Sequence, residues 1–377
     1  MMTNNTTCHE TNVETSIFHT TDEKAILSII STPKRTEAMA LFALEHGADS
    51  ALFINASGTI SGNLLNLLGL SSVKRSLAVL RVDIEESVEL LRKIEDQFTL
   101  SRSMGGIAWI QNPATAAPPP STEYSMVVAI VNAGEGRLVV EQARRSHPVG
   151  ASILEAVGSA DHTRKTFNFE IVPEKEIVII ISKTEECRAV RDTIYQALRT
   201  EKPGRGVLYT TGINAVSGIY QHNDDYSTFA EPHHLKSKTG VCEKDLIVDE
   251  KATSQKDLLN EQDVKSTSAS SESPKTPQYV GLIAVTDRGH AADIVACAEA
   301  AGGRGATIMH GRETSSPFDS WLDKLAQSTR DSVIIISEEK TAQAILSELK
   351  ANKLAPYLRT FVFDVRDFRL FSYGVSK

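Results

Sequence analysis

Cysteine is scarce in this 377-residue chain, and the four present, at positions 8, 187, 242 and 297, form no CxxC pair and no regular framework. A disulfide scaffold is therefore not expected, and the spacing suits reduced thiols in a cytosol. No apolar run reaches the ~18 residues that a bilayer span requires. The opening stretch MMTNNTTCHETNVETS is polar and has no cationic region followed by an apolar core, so a mobile tail without a secretory signal, and a cytoplasmic location, are the expectation. Walker A, nucleophile-elbow and HExxH patterns are missing, which gives no ground for expecting an enzyme. His233-His234 with Cys242, and Cys8-His9, lack ligand spacing, so no metal site is expected. The net charge of -8 argues against a nucleic-acid partner, which clustered Lys and Arg would have to hold.

What the chain does have is a threefold internal repeat. Adding 100 carries Ala51 to Ala151, Gly58 to Gly158, Glu85-Glu86 to Glu185-Glu186 and Gly106 to Gly206. Adding 155 carries Ala151-Ser152-Ile153 to Ala306-Thr307-Ile308, and VIIIS at Val178–Ser182 to the same five letters at Val333–Ser337. Each copy opens on an apolar strand (AILSII, MVVAIV, VGLIAV), continues through a helix to a second strand near Ala51, Ala151 or Ala306, and then enters a loop. The most apolar strand follows (LAVLRV, IVIIIS, VIIIS), then a charged helix (Glu85–Phe98, Glu185–Arg199, Glu338–Asn352) and a last strand (IAWIQ, VLYTT, TFVFDV). Continuous β-branched runs of this kind mark strands buried on both faces.

Composition separates the copies. NPATAAPPPST, from Asn112 to Thr122, reads as a Pro-rich tether. The stretch from His222 to Pro277, rich in Asp, Glu, Lys and Ser, reads as a disordered linker in which VCEKDLIVDE could form a brief strand or helix. The expected division is a tail at 1–23, domains at 24–112, 124–221 and 278–377, and linkers at 113–123 and 222–277. A βαββαβ unit places both helices on one face of its sheet and leaves the other open. Because the central strands are apolar at odd and even positions alike, the three open faces are expected to turn toward one another rather than face water.

At this point the residues resemble a known family. MVVAIVNAGEG, VGASILEAVGS, PEKEIVIIIS and EKPGRGVLY of the second copy are similar to the PII nitrogen-regulatory superfamily, most of all its PII-like branch. The third copy resembles it through VTDRGH, GGRGATIMHGR and VIIIS, and the first through INASGT and SMGGIAWI. The resemblance implies an α+β fold of three ferredoxin-like domains forming an intramolecular pseudo-trimer. It also implies a monomeric signalling protein that senses a small ligand, an adenine nucleotide or another anion, in clefts between domains and regulates a partner protein, a transporter or an enzyme, through mobile T-loops. No other cofactor is implied. The alternative is a scaffold on the same fold that binds no ligand and recruits partners.

By the same resemblance the B-loop residues would be Lys202, Gly204, Arg205 and Gly206 in the second copy and Arg102, Gly105 and Gly106 in the first. The T-loop bases would be Gly58-Thr59, Gly158-Ser159 and, in the third copy, His310-Gly311-Arg312. Closely spaced glycines let backbone N–H groups approach phosphate oxygens. The same glycines also read as tight turns entering a strand, and His310-Gly311-Arg312 as a solvated corner. Arg205 and Val207 stand where the family's B-loop has an acidic residue and a lysine, and KLAPYLRT in the third copy has no glycine there. The three clefts are therefore expected to differ, with one or two competent. No T-loop region (Ser57–Val73, Ser159–Val172, Thr314–Arg330) contains a tyrosine, so control by tyrosine uridylylation is not expected.

Overall fold

The computed structural model describes residues 24–59, 72–102, 105–114, 123–159, 165–166, 169–170, 173–199, 206–219, 278–315, 328–352 and 357–371. These belong to one compact unit drawn from Met1–His222 and Pro277–Lys377. The expected tail, most of the Pro-rich tether, the long linker with VCEKDLIVDE and the tips of the three long loops lie outside the described residues.

The fold is α+β, with six helices on a thirteen-stranded antiparallel sheet among the described residues. The first segment runs β1 (Lys24–Ser31), α1 (Pro33–Glu45), β2 (Ser50–Thr59), β3 (Ser72–Asp83), α2 (Ile84–Phe98) and β4 (Ile107–Gln111). The second runs β5 (Tyr124–Asn132), α3 (Gly136–Ser146), β6 (Ala151–Gly158), a small hairpin of β7 (Lys165–Thr166) and β8 (Phe169–Glu170), β9 (Glu174–Lys183), α4 (Thr184–Leu198), β10 (Gly206–Gly212) and β11 (Ala215–Ser217). The third runs β12 (Tyr279–Asp287), α5 (Ala291–Ala300), β13 (Thr307–Thr314), β14 (Ser328–Glu338), α6 (Glu339–Asn352) and β15 (Leu358–Leu370). In each segment the strands lie in the order fourth, first, third, second, so the two most apolar strands are central.

The sequence offsets reappear as pairing register. Ile26 faces Arg81, Met126 faces Ile181 and Gly281 faces Ile336, each pair displaced from the last by 100 and then 155. The second helices repeat as well: Leu90, Leu91 and Ile94 of α2 are buried at the positions of Val190, Arg191 and Ile194 in α4 and of Ile345, Leu346 and Leu349 in α6. Spacings of three and four residues put these side chains on one helical face. Arg191 stands alone among them as a charge.

Both faces of the central strands are buried, as their composition demands. Val127, Ala129 and Val131 of β5 pack with Val139 of α3 and Val190 of α4, whereas Met126, Val128 and Ile130 turn the other way. There they join Ile30, Leu77 and Trp109 of the first segment and Met309, Ile334 and Phe363 of the third in one shared core. Each large apolar side chain removed from water contributes about 1.5–3 kcal/mol, so a strand apolar on both faces favours a partner on each.

Two rings of equivalent contacts join the segments. In one, the end of each second strand pairs with the start of the next segment's second strand: Gly58 with Ser152, Gly158 with Thr307, and Glu313 with Leu52. In the other, the end of each last strand or the chain just beyond it lies on the preceding segment's last strand. Asn214 N–H donates to Ile110 O at 2.7 Å, Arg366 pairs with Thr210, and Ala114 N–H donates to Val362 O at 2.8 Å. Among the described residues no helix is long and apolar enough to cross a membrane.

Candidate functional site

The three boundaries gather most of the described candidates at corresponding places. Antiparallel pairing brings the end of the second strand and the start of the last strand to the same end of each segment's strands, so the expected T-loop base and B-loop of a segment share that edge. The neighbouring segment supplies the start of its own second strand and its C-terminal extension.

At the first boundary Gly58 faces Ser152, and Thr59 Oγ1 donates to Ala151 O at 3.2 Å. Arg144 of α3 reaches back and donates to Thr59 O at 3.2 Å and to its Oγ1 at 3.1 Å. A Cβ on Gly58 would lie 3.1 Å from Arg75 Nε. At the second boundary Ser159 N–H donates to Ala306 O at 2.8 Å, and Ala306 N–H donates to Ser159 Oγ at 3.2 Å. Gly158 N–H donates to Pro173 O at 2.7 Å, and a Cβ there would meet Pro173 Cγ at 3.0 Å and Lys175 Cε at 3.4 Å.

The third boundary differs. Its register puts Glu313, rather than the His310-Gly311-Arg312 triplet, where the other segments have Gly58 and Gly158. Gly311 and Arg312 instead face Ile54 and Phe53 within the strand, and a Cβ on Gly311 would meet Phe53 O at 2.7 Å. That glycine answers to close strand approach. His310 is exposed, and its Nδ1 lies 2.7 Å from Asp331 Oδ1 on the adjacent strand.

A cation recurs beside all three positions, and sequence reading missed it: Arg75, Lys175 and Arg330 are related by the same offsets of 100 and 155. Burial pushes the pKa of Arg75 down. It does the same to Lys175 against an opposing pull from Glu135, while Lys175 Nζ donates to Asn132 Oδ1 at 2.7 Å. Arg330 is shifted upward: burial opposes its charge, but Glu313 and Asp287 outweigh that. Its Nε donates to Glu313 Oε2 at 2.8 Å, its Nη1 bonds Asp287, and its guanidinium lies 3.8 Å over the Tyr357 ring. Tyr357 OH donates to Glu313 Oε1 at 2.7 Å, and Arg359 bridges Glu313 Oε1 at 3.3 Å and Ser50 Oγ of the first segment at 2.7 Å. Burial first, and then Glu313, push the Tyr357 phenol up, so it stays a neutral donor.

The two described glycines expected to enter the last strand from a B-loop have a structural duty. Gly106 and Gly206 adopt φ of +123° and +152°, and a Cβ on them would lie 2.5 Å from Ile30 O and 1.9 Å from Ile130 O. These are the same carbonyl in two segments, and only glycine lets the last strand approach it so closely. Leu358 holds that position in the third segment, opposite Thr286. Gly105 N–H donates to Arg102 O at 2.8 Å within its own turn, and its carbonyl accepts from Ser31 Oγ at 2.7 Å, while Arg102 is exposed. Lys202, Gly204 and Arg205 lie outside the described residues. No group of three or more His, Cys, Asp or Glu among the described residues could hold a metal ion.

No protein-family model matches the chain, and no curated protein matches it.

Proposed function

We propose that the chain is a PII-like regulator: three ferredoxin-like domains fused into a pseudo-trimer, sensing a small anionic ligand in the clefts between domains. The ligand is an adenine nucleotide in the first instance, and occupancy would reach a regulated partner protein through the loops that follow the second strands. The shared strand order and the two closed rings of equivalent contacts support the architectural part of this reading.

The observation that carries the functional part is the register identity of Gly58, Gly158 and Glu313, each beside a cation at a boundary from which a long loop departs. An anion held there would touch the root of the loop, and ordering a loop on ligand contact is an established way to change what a partner can bind. Glu313 already supplies a carboxylate at the third boundary, so ligand binding is assigned to the first and second.

Thermal-shift measurements on the full chain with ATP, ADP, AMP and cyclic nucleotides test this. Stabilisation by at least one nucleotide, weakened by Arg75→Gln or Lys175→Gln, is expected. If the second B-loop also holds phosphate, Arg205→Glu weakens binding by about 1.5–3 kcal/mol. No response to any nucleotide would favour the scaffold, and release of inorganic phosphate would favour a hydrolase.

A further inference from the structure

A separate cavity of about 470 Å³ opens where the C-terminal extension of the third segment lies on the second. Its walls are Arg188 and Arg191 from α4, Thr210 and Thr211 from β10, and Arg366 and Arg369 from β15. It includes Ser125 at the start of β5, whereas Gly206 faces Val131 near the other end of that strand, roughly 20 Å away at the usual rise per residue. This is not the edge that carries the T-loop bases.

The repeat gives the cavity an internal control. Arg191 is 5% exposed at the position of Leu91 and Leu346, both buried in the cores of their own segments. Thr210 replaces Ile110 and Val362, which face the equivalent residues of their first strands. The fold therefore asks for aliphatic side chains here, and two segments comply. Burying a guanidinium at a leucine position costs several kcal/mol of desolvation that packing alone would not demand, and such departures cluster at binding sites.

Counter-charges are present. Arg191 pairs with Asp367 and, at 3.3 Å, with Asp192; Arg369 pairs with Asp192 at 2.9 Å and Arg366 with Asp364 at 2.8 Å. Arg188 lies 3.9 Å from the same Asp192. Four guanidiniums thus share three carboxylates, leaving a net charge of one positive unit. Asp367, which also lines the cavity, sits at φ +52° in the irregular stretch of β15 opposite Leu208–Thr210, a backbone conformation uncommon for a residue with a side chain.

We infer that this cavity is a binding site for a phosphate-class oxyanion, free or as the terminal group of a phosphomonoester, received by the Arg191, Arg366 and Arg369 guanidiniums, while Thr210 and Thr211 already donate to Arg366 O and Asp364 Oδ1. Guanidinium forks match tetrahedral oxyanions in geometry, and the charge-assisted bonds are stronger than neutral ones. The anion would share the arginines with Asp367 and Asp192 rather than replace every partner.

The test is isothermal titration of the full chain at constant ionic strength with inorganic phosphate, with glycerol 3-phosphate, and with chloride as control. Binding of phosphate in preference to chloride is expected, and tighter binding of glycerol 3-phosphate would point to the phosphomonoester. Arg191→Leu restores the residue of the other two segments and should remain folded, yet weaken phosphate binding about tenfold or more; Arg366→Gln, on the half-exposed rim, should weaken it in the same direction. Both variants should keep any stabilisation by nucleotides, which separates this site from the domain clefts. Absence of phosphate binding by the parent protein, or equal binding by both variants, would overturn the inference whatever the nucleotide result.

Discussion

Arg330 Nε donates to the Glu313 carboxylate at 2.8 Å, with Glu313 standing where the other two segments have glycine. The pair is shielded, at 12% and 9% side-chain exposure, and Tyr357 and Arg359 complete the coordination of the carboxylate. Removing one member of such a set leaves the others desolvated and unmatched. Glu313→Ala should lower stability by about 3 kcal/mol, and Glu313→Gln, which keeps the shape and loses the charge, by less. Urea unfolding at neutral pH checks this; a loss below about 0.5 kcal/mol would mean the cluster is solvated and contributes little.

Gly106 and Gly206 supply a second prediction. Alanine at either position would drive Cβ into a main-chain carbonyl at the end of the first strand, and no rotamer can relieve a backbone contact. Gly134, with φ +87° and nothing within 4 Å of a Cβ, isolates the dihedral cost alone. Gly134→Ala should cost about 1 kcal/mol and Gly206→Ala distinctly more, about 2–3 kcal/mol. Equal losses in denaturant titrations would show that the strand end yields freely.

Phe371 belongs by sequence to the third segment but is 1% exposed in the core of the second, stacked on Tyr195 with ring centroids 6.3 Å apart. Its N–H donates to Gly206 O at 3.0 Å. Phe371→Ala should therefore cost about 3–5 kcal/mol and loosen the second segment more than the third. Amide exchange that quickens in α4 and β10 ahead of α6 is the expected signature.

Much of this was legible in the sequence because two separate signals agreed. The offsets of 100 and 155 mark equivalent residues, and the uninterrupted apolar runs mark strands buried on both faces; the pairing register and the shared core follow both. In the third segment the residues expected at the T-loop base and the position equivalent to Gly58 and Gly158 do not coincide. His310-Gly311-Arg312 is singled out by its likeness to the family's triplet, whereas adding 155 to Gly158 leads to Glu313, two residues beyond Gly311. Strand register is fixed by pairing along the whole strand and not by a single small residue. The arginine cavity was not legible, because it depends on which strand the third C-terminal extension joins, a contact between residues more than 150 positions apart.

Glu95 of α2 ties the second segment's extension to the first. Its carboxylate accepts from Ser217 Oγ of β11 at 2.5 Å, from Ser101 Oγ at 2.7 Å and from the Leu100 amide at 3.0 Å. Burial alone would raise its pKa, but these donors, Ser217 foremost, bring it below the usual carboxylate value. A depressed folded-state pKa means that the group adds stability above its unfolded pKa, about 4.3, and that this contribution fades as the pH falls through the lower folded value. Glu95→Gln should thus be less stable than the parent at pH 7, by about 1 kcal/mol given its part exposure, with the gap narrowing toward pH 3. A gap that stayed constant between pH 7 and pH 3 in urea titrations would show that Ser217 and its neighbours bind the amide as well as the carboxylate, and that charge plays no part in fastening this strand.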